Sequence, residues 1–232
     1  MGEPLLIVQT SRRPGGADYL SRTLPYVDPD DRIVPWRRVV ICDGPLTVPV
    51  LGGGFQMLYA SAARKGESPT FFAALALAAA LDADPLLYFE DDARPCRGAV
   101  ARMLAVGVPD DCAFVSYWEH TYHVPPGIHR VSMRVFVGKL ALAIPGRTLQ
   151  MIARGNFVLG AGGAGDLQLA RLLAEYSSTP TFAVHEPPLV QHVGEVSAVN
   201  PGVPLTVNGR YAERYPGDDF DARSLPMPDE MP

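Results

Sequence analysis

Cysteine and lysine are both scarce in this chain of 232 residues. Its 3 cysteines, Cys42, Cys96 and Cys112, form no C-x-x-C pair, which excludes a zinc knuckle and a thioredoxin-type redox motif. A chain of this length can bury a core without disulfides or a structural metal. The sparse, odd set of thiols therefore predicts reduced cysteines and a cytoplasmic protein. Lysine occurs only as Lys65 and Lys139, so arginine supplies most of the positive charge.

Long hydrophobic runs are also missing. The longest, residues 71–81, has 11 residues, whereas a helix needs about 20 apolar residues to cross a bilayer. No basic segment precedes the short apolar run at the N-terminus, so the pattern predicts no signal peptide. We therefore expect no membrane span.

A strong positive charge is absent as well, since the formal net charge is −5 at pH 7. This value excludes a basic nucleic-acid footprint over the whole surface. Residues 217–232 hold five acidic side chains and Arg223, a net of −4, which leaves −5 + 4 = −1 for the remainder. The acidity is therefore mostly a property of the tail, and a local arginine patch for an anionic acceptor such as DNA stays open.

What is present is a regular alternation of apolar strands and amphipathic helices. Strands are predicted over residues 5–9, 38–42, 85–89, 112–117, 134–137, 140–144, 181–184 and 189–193, and helices over residues 17–24, 68–81, 97–106, 147–153 and 166–176. Ser68 is the expected N-cap of the second helix. The order predicts an α/β fold with a mixed, mostly parallel central sheet flanked by helices. We expect one catalytic domain over residues 1–199 and a Pro/Gly-rich acidic tail over residues 200–232.

Polar side chains follow the first strands at the points where they end. Thr10, Ser11 and Arg12 follow strand one, Asp43 ends strand two, and residues 90–92 follow the third strand as Glu-Asp-Asp. In largely parallel sheets, ligands bind beyond the carboxyl ends of the strands. These groups are therefore expected to meet at one edge of the sheet.

Glu90, Asp91 and Asp92 carry the strongest functional signal. Adjacent anions repel, and each is costly to bury without a partner. Their hard oxygen atoms suit Mg²⁺ or Mn²⁺, ions that commonly hold substrate phosphates as well. The competing interpretation is a solvated strand end in which Asp92 caps the next helix.

Two weaker signals lie further along the chain. His192 interrupts the apolar pattern P-L-V-Q-H-V-G-E-V-S (188–197), where Gly194 allows a close approach to the backbone. A histidine in this setting is either a ligand or a satisfied core residue. Asp166 opens a helix after a glycine-rich loop, G-G-A-G-D (162–166), and is either a catalytic base or a helix cap.

Taken in order, these segments resemble the GT-A-type nucleotide-sugar glycosyltransferases, in particular bacterial and phage-type members. The resemblance runs from about Leu5 to Val199. It is carried by Y-F-E-D-D-A (88–93), V-G-K-L-A-L-A-I-P (137–145), G-D-L-Q-L (165–169) and the segment around His192 (188–197). It implies a GT-A-like domain, a metal-dependent transfer from a nucleotide-diphosphate donor, expected to be a UDP-sugar, and a hydroxyl acceptor.

The resemblance also implies a role for each residue at the acidic edge. Residues 90–92 match the D-x-D-type motif, with Asp92 as the metal ligand and Glu90 and Asp91 on the donor side, Asp91 nearer the ribose or a metal-bound water. Residues 10–12, Thr10, Ser11 and Arg12, would hold the nucleotide, and Asp43 would contact its base. The first motif residue is Glu rather than Asp, and some members with this form depend on metal only loosely.

The remaining implied roles concern the second half of the chain. Asp166 matches the catalytic base of inverting members, and His192 matches a histidine that contacts the metal or the diphosphate. The chemistry agrees, because a divalent cation can neutralise a diphosphate leaving group and a carboxylate can take the acceptor proton.

Two other functions stay open at this point. The acidic triplet also suits a metal-dependent phosphoesterase or nucleotidyltransferase, and the edge as a whole also suits a non-catalytic nucleotide-sugar-binding module. The loop with His120, His123 and His129 is an acceptor-facing loop, a structural loop or a metal site.

Overall fold

The computed structural model describes residues 2–11, 18–27, 37–45, 54–118, 124–136, 138–155, 164–176, 181–194 and 212–227. The strands in these ranges are β1 (Leu5–Ser11), β2 (Arg37–Asp43), β3 (Phe55–Tyr59), β4 (Leu86–Glu90), β5 (Ala93–Pro95), β6 (Val115–Ser116), β7 (Gly127–Ser132), β8 (Ala141–Ile144), β9 (Thr181–Glu186) and β10 (Val190–His192). The α-helices are α1 (Leu20–Val27), α2 (Glu67–Ala80), α3 (Ala99–Val106), α4 (Gly146–Arg154) and α5 (Gly165–Tyr176).

Eight of the strands form one mixed sheet in the order β3-β2-β1-β4-β8-β6-β9-β7. Strands β3, β2, β1, β4, β6 and β9 run in one direction, and β8 and β7 run against them. The remaining two, β5 and β10, form a separate antiparallel pair beside the carboxyl end of β4. The predicted α/β class, with a mixed, mostly parallel central sheet flanked by helices, is confirmed.

The central strands are buried on both faces, which explains their continuous apolar runs. Along β1, Leu5 and Ile7 belong to one core cluster, and Leu6 and Val8 belong to the other. Helices α2, α4 and α5 cover the first face, whereas α1, α3 and residues 212–227 contribute to the second. Successive side chains of a strand point to opposite faces, so a run of apolar residues fills both clusters.

Several sequence predictions were wrong in detail. Strands β3, β5 and β7 were not predicted, because β3 and β7 lie at the two ends of the sheet order and β5 has only 3 residues. Residues 134–137 were predicted as a strand, but a 3₁₀ turn occupies Met133–Val135. The N-cap of α2 is Gly66 rather than Ser68. The Gly66 amide donates to the Asp43 carboxylate, a tertiary contact that local sequence does not reveal.

The described part of the tail, residues 212–227, packs against the domain. The guanidinium of Arg102, a buried residue of α3, donates to the backbone carbonyl of Leu225 at 3.1 Å and to that of Pro226. Arg94 forms an ion pair of 3.0 Å with Asp218. The boundary predicted after residue 199 lies outside the described residues and stays a prediction.

In the described ranges, no helix combines the length and apolar character needed to traverse a bilayer. Cys42, Cys96 and Cys112 are all buried and free of disulfides. Burial raises the pKa of the Cys42 thiol to about 11 and that of Cys96 to about 12.

The buried histidine of β9 makes stability depend on pH. His185 is 1% exposed, its Nδ1 lies 2.8 Å from the carbonyl oxygen of Pro187, and burial lowers its pKa from 6.5 to about 4. The folded protein therefore keeps His185 neutral, whereas the unfolded chain takes up a proton below pH 6.5. The contribution of His185 to the free energy of unfolding is complete above pH 6.5 and is lost as the pH falls from 6.5 towards 4. The difference in pKa corresponds to about 3 kcal/mol.

Between pH 6.5 and pH 4, we expect the free energy of unfolding to fall more steeply for the unaltered chain than for H185Q. The difference between the two decreases should be about 3 kcal/mol. Urea unfolding at several pH values measures it. H129Q, which changes a partly exposed histidine of β7, is the matched control and should follow the unaltered chain. Parallel curves for the unaltered chain and H185Q would contradict the prediction.

Candidate active site

The register of the sheet brings the predicted polar groups to one edge. Ser11 at the end of β1 lies opposite Asp43 at the end of β2, and Gln9 lies opposite Glu90 at the end of β4. Because these three strands are parallel, their carboxyl ends share one edge. The acidic residues 90–92 and the ends of β1 and β2 therefore meet there.

Asp91 is held from three sides. Its Oδ2 accepts a hydrogen bond of 2.6 Å from Thr10 Oγ1, and the Ser11 amide lies 3.4 Å from the same oxygen. The backbone carbonyl of Asp91 accepts a hydrogen bond from the Thr23 hydroxyl of α1. Thr10 and Ser11 were predicted to hold a nucleotide, and here both contact Asp91. Their role towards a donor stays a prediction.

Asp92 faces His192 across the small β5–β10 sheet. His192 lies opposite Ala93 in the register, and the Val193 amide donates to the Asp92 carbonyl at 2.9 Å. His192 Nε2 lies 3.3 Å from Asp92 Oδ2, and both side chains are buried. A Cβ added at Gly194 would come within 2.3 Å of Asp92 Oδ2, so a glycine is needed at that position. The close backbone approach predicted at Gly194 is thus to the Asp92 carboxylate.

The donor set of Asp92 and His192 fits a divalent cation. Two neighbouring ligands of an octahedral ion at about 2.1 Å lie about 3 Å apart, close to the 3.3 Å separation here. His192 Nδ1 is buried and has no hydrogen-bond partner among the described residues. Among the described residues, no group of three or more metal-ligating side chains occurs. Phosphate and water oxygens would therefore complete the coordination sphere of the ion, as Mg²⁺ commonly requires.

The Glu90 carboxylate pairs with a buried lysine, Lys139, and not with the Asp92–His192 pair. Lys139 Nζ forms ion pairs with the carboxylates of Glu90 and Glu67 and lies 3.2 Å from the Tyr88 hydroxyl. Burial by itself lowers the pKa of Lys139, but the Glu90 and Glu67 carboxylates outweigh it and raise the pKa well above its ordinary value. The two carboxylates therefore favour the charged form of this lysine at the carboxyl edge of the sheet.

A chain of hydrogen bonds extends from this lysine. The Tyr88 hydroxyl donates to Gln9 Oε1 at 2.8 Å, and Gln9 Nε2 donates to the Glu67 carbonyl at 3.0 Å. Tyr88 is fully buried, and its burial raises the pKa of the phenol well above the usual range. The network joins β1, β4 and the first turn of α2.

Asp43 is engaged by the loop before α2. Its Oδ1 accepts hydrogen bonds from the Lys65 amide at 2.8 Å and the Gly66 amide at 3.0 Å, and Arg64 Nε lies 3.4 Å from Oδ2. The side chain of Asp43 is almost completely buried, whereas that of Arg64 is half exposed. The predicted contact of Asp43 with a nucleotide base stays a prediction, and the exposed Arg64 lies beside it.

Asp166 starts α5 near the same edge. Its Oδ2 accepts a hydrogen bond of 2.7 Å from the Gly138 amide, and its Oδ1 accepts one of 2.8 Å from the Leu167 amide. The neighbouring Gly165 packs against Lys139, because a Cβ there would lie 3.1 Å from Lys139 Cε. Asp166 therefore borders the lysine network. Its hydrogen bond to the Leu167 amide at the helix start also agrees with the alternative interpretation as a cap.

Trp118 connects the two halves of the site. A Cβ added at Gly138 would lie 2.1 Å from the Trp118 ring, and the ring centroids of Trp118 and His192 are 6.3 Å apart. The buried indole thus lies between the glycine that holds Asp166 and the histidine that faces Asp92.

Two predictions fall outside the described residues, namely the nucleotide contact of Arg12 and the loop with His120 and His123. Lys139, Tyr88, Gln9 and Thr23 have no role predicted from the sequence, and Trp118 was considered there only as part of the histidine-containing loop. One signal did exist, because a lone lysine within the apolar run V-G-K-L-A-L-A-I-P (137–145) has to be paired if it is buried.

No protein-family model matches the chain, and no curated protein matches it. Among solved structures, it is similar to the apo-form glycosyltransferase GlyE of Streptococcus pneumoniae TIGR4, with a TM-score of 0.47 and 9% identity over 80% of this chain and 46% of that chain. It is also similar to the galactosyltransferase LgtC in complex with donor and acceptor sugar analogues, with a TM-score of 0.42 and 13% identity over 77% of this chain and 67% of that one.

This chain spans less than half of the GlyE chain. Both TM-scores lie below 0.5, so these similarities carry no argument about function.

The close contact at Gly194 yields a test of the site geometry. In G194A the new methyl group collides with Asp92 Oδ2 and displaces the carboxylate from His192. Overpacking of this kind costs roughly 1–3 kcal/mol, and we expect Mn²⁺ affinity to fall about tenfold as well. Urea unfolding and an Mn²⁺ titration measure the two effects. V193A, a truncation at the adjacent position, should leave Mn²⁺ affinity unchanged, and an unaltered affinity in G194A would refute the geometry.

Proposed function

We propose that this chain is a metal-dependent glycosyltransferase with a GT-A-like fold, which moves a sugar from a nucleotide-diphosphate donor to a hydroxyl acceptor. One observation carries the proposal: the Asp92–His192 pair and the Asp166 carboxylate border the same sheet edge, connected through Trp118 and Gly138. A metal-binding pair and a candidate base on opposite sides of one edge suit the transfer of a group between two bound substrates.

The metal half of the site would hold the diphosphate. Asp92 and His192 would bind Mn²⁺ or Mg²⁺, and a bound ion supplies neutralisation of the charge that develops on the leaving diphosphate. Asp91 is fixed by Thr10 and Thr23, which keeps the adjacent Asp92 in place without a rearrangement. Such preorganisation favours stabilisation of the developing charge.

Asp166 would act as the base that takes the proton of the acceptor hydroxyl. Both of its oxygens accept backbone hydrogen bonds, which orient the carboxylate. A single base that activates the acceptor opposite the leaving group gives inversion at the anomeric carbon, by the geometric reasoning that applies to glycoside hydrolysis. Analysis of the product anomer by NMR tests this stereochemistry.

The nucleotide would occupy the part of the edge beside β1 and β2. Asp43 lies there with the half-exposed Arg64, a side chain suited to a phosphate or a base. We take a UDP-sugar as the donor, and the acceptor as any hydroxyl-bearing molecule, from a glycan to a modified nucleobase in DNA. The cytoplasmic location likewise stays part of the proposal.

The phosphoesterase or nucleotidyltransferase alternative has weaker support. Enzymes of that kind usually use a second carboxylate cluster for a second metal ion. A second acidic pair, Asp110–Asp111, precedes β6, which runs parallel to β4, so this pair lies at the opposite edge of the sheet. Asp111 is also engaged by Arg130. A non-catalytic binding module predicts the same donor binding without turnover.

The D92N variant tests the metal half of the proposal. Removal of one anionic ligand should lower Mn²⁺-dependent release of UDP from UDP-sugars by about 100-fold or more. The matched control is D110N, which changes a fully exposed carboxylate at the opposite edge. If D92N keeps full Mn²⁺-dependent activity, or if no nucleotide sugar binds the unaltered chain, the proposed function is wrong.

The D166N variant tests the base. Loss of general-base catalysis should lower kcat for transfer by roughly 100- to 10,000-fold, while donor affinity measured by calorimetry stays within about twofold because the donor is held elsewhere. E175Q, at an exposed position of the same helix, serves as the control. An unchanged kcat in D166N would leave Asp166 as a helix cap alone.

A further inference from the structure

We infer that Lys139 is a positioning residue that holds Glu90 away from the metal ion, so that Asp92 and His192 bind it without the first carboxylate of the triplet. The inference deepens the proposed function and rests on it, because it concerns the same metal site. It also changes the role that the family resemblance implies for Glu90, from a donor-side residue to an internal partner of Lys139.

The first support is the direction of the side chains along β4. Leu86 and Tyr88 belong to the core cluster on the α2 and α5 face, whereas Leu87 and Phe89 belong to the opposite cluster. Side chains alternate along a strand, so Glu90 continues the α2 and α5 face. Asp91 lies on the other side, where its carboxylate accepts a hydrogen bond from Thr10 of β1 and its carbonyl accepts one from Thr23 of α1. The three adjacent carboxylates are therefore divided between two faces.

The second support is the position of the lysine on the face of Glu90. The Glu90 amide donates to the Leu140 carbonyl at 3.0 Å, which fixes the neighbouring Lys139 beside Glu90. The lysine is 4% exposed and also lies 5.0 Å from the centre of the Phe71 ring. An ion pair with a buried lysine is costly to break, because the released Glu90 carboxylate loses its cation.

The third support is the number of partners that share this one cation. Lys139 pairs with Glu67 at the start of α2 as well as with Glu90, and Gly165 of α5 packs against its side chain. The Lys139 ammonium thus anchors Glu90, α2 and α5 at one point. Movement of Glu90 towards the metal would break its ion pair with Lys139 and separate the end of β4 from this anchor.

The experiment measures binding of Mn²⁺ alone to the metal-free full chain by electron paramagnetic resonance. The variants are E90Q, D92N, K139M and the double variant E90Q/K139M. Two exposed positions of α5 provide matched controls for loss of an acid and loss of a cation, E175Q and R171M. Urea unfolding of each protein shows whether it is folded.

We expect E90Q to bind Mn²⁺ within about twofold of the unaltered chain, whereas D92N loses about tenfold or more. In K139M the released Glu90 adds negative charge near the ion, so affinity should rise by about threefold. The rise should vanish in E90Q/K139M. Transfer activity should nevertheless fall in K139M, because α2 and α5 lose their common anchor.

A tenfold loss in E90Q would make Glu90 a metal ligand and overturn the inference, while the proposed function would stand. An equal gain in K139M and E90Q/K139M would show that Lys139 does not act through Glu90. If K139M fails to fold, E90Q decides alone, since Lys139 keeps Glu67 as its partner. No Mn²⁺ binding by the unaltered chain would overturn the proposed function, and this inference with it.

Discussion

The buried ammonium group of Lys139 is the contact on which the organisation of the site depends. It pairs with Glu90 at the end of β4 and with Glu67 at the start of α2, and Gly165 at the start of α5 packs against its side chain. A charge in such surroundings is tolerated only when it is paired. The lysine therefore fixes the relative positions of a strand and two helix starts, and Asp166 follows Gly165 directly.

The cost of burying carboxylates explains why so many neutral groups surround the acidic edge. Asp91 is held by hydroxyl groups from β1 and α1, and Asp43 is held by backbone amides of the loop before α2. Asp92 lies beside His192 and against Gly194. Glu90, by contrast, pairs with Lys139. The three residues of the acidic run therefore have separate sets of partners and do not form one cluster.

The sequence was informative where the signal is local. The buried strands β1, β2 and β4 follow from apolar runs, and the meeting of their polar ends follows from the parallel order of the strands. The need for glycine at position 194 was also readable. The edge strands β3 and β7 were missed because their stability comes from pairing with β2 and β9 rather than from a clear alternation. Ser68 failed as a cap because Asp43 binds the Gly66 amide.

By itself, the sequence determined the α/β class, the acidic edge and the candidate residues Asp92, Asp166 and His192. Apolar periodicity and the ends of strands are local signals, because each depends only on residues that are close together in the sequence. Only the tertiary structure decided which partner each carboxylate has. Lys139 lies 49 residues from Glu90 in the chain, and Thr10 lies 81 residues from Asp91. Contacts over such separations depend on the order of the strands and on which helices pack against each face of the sheet, and neither is encoded in local spacing.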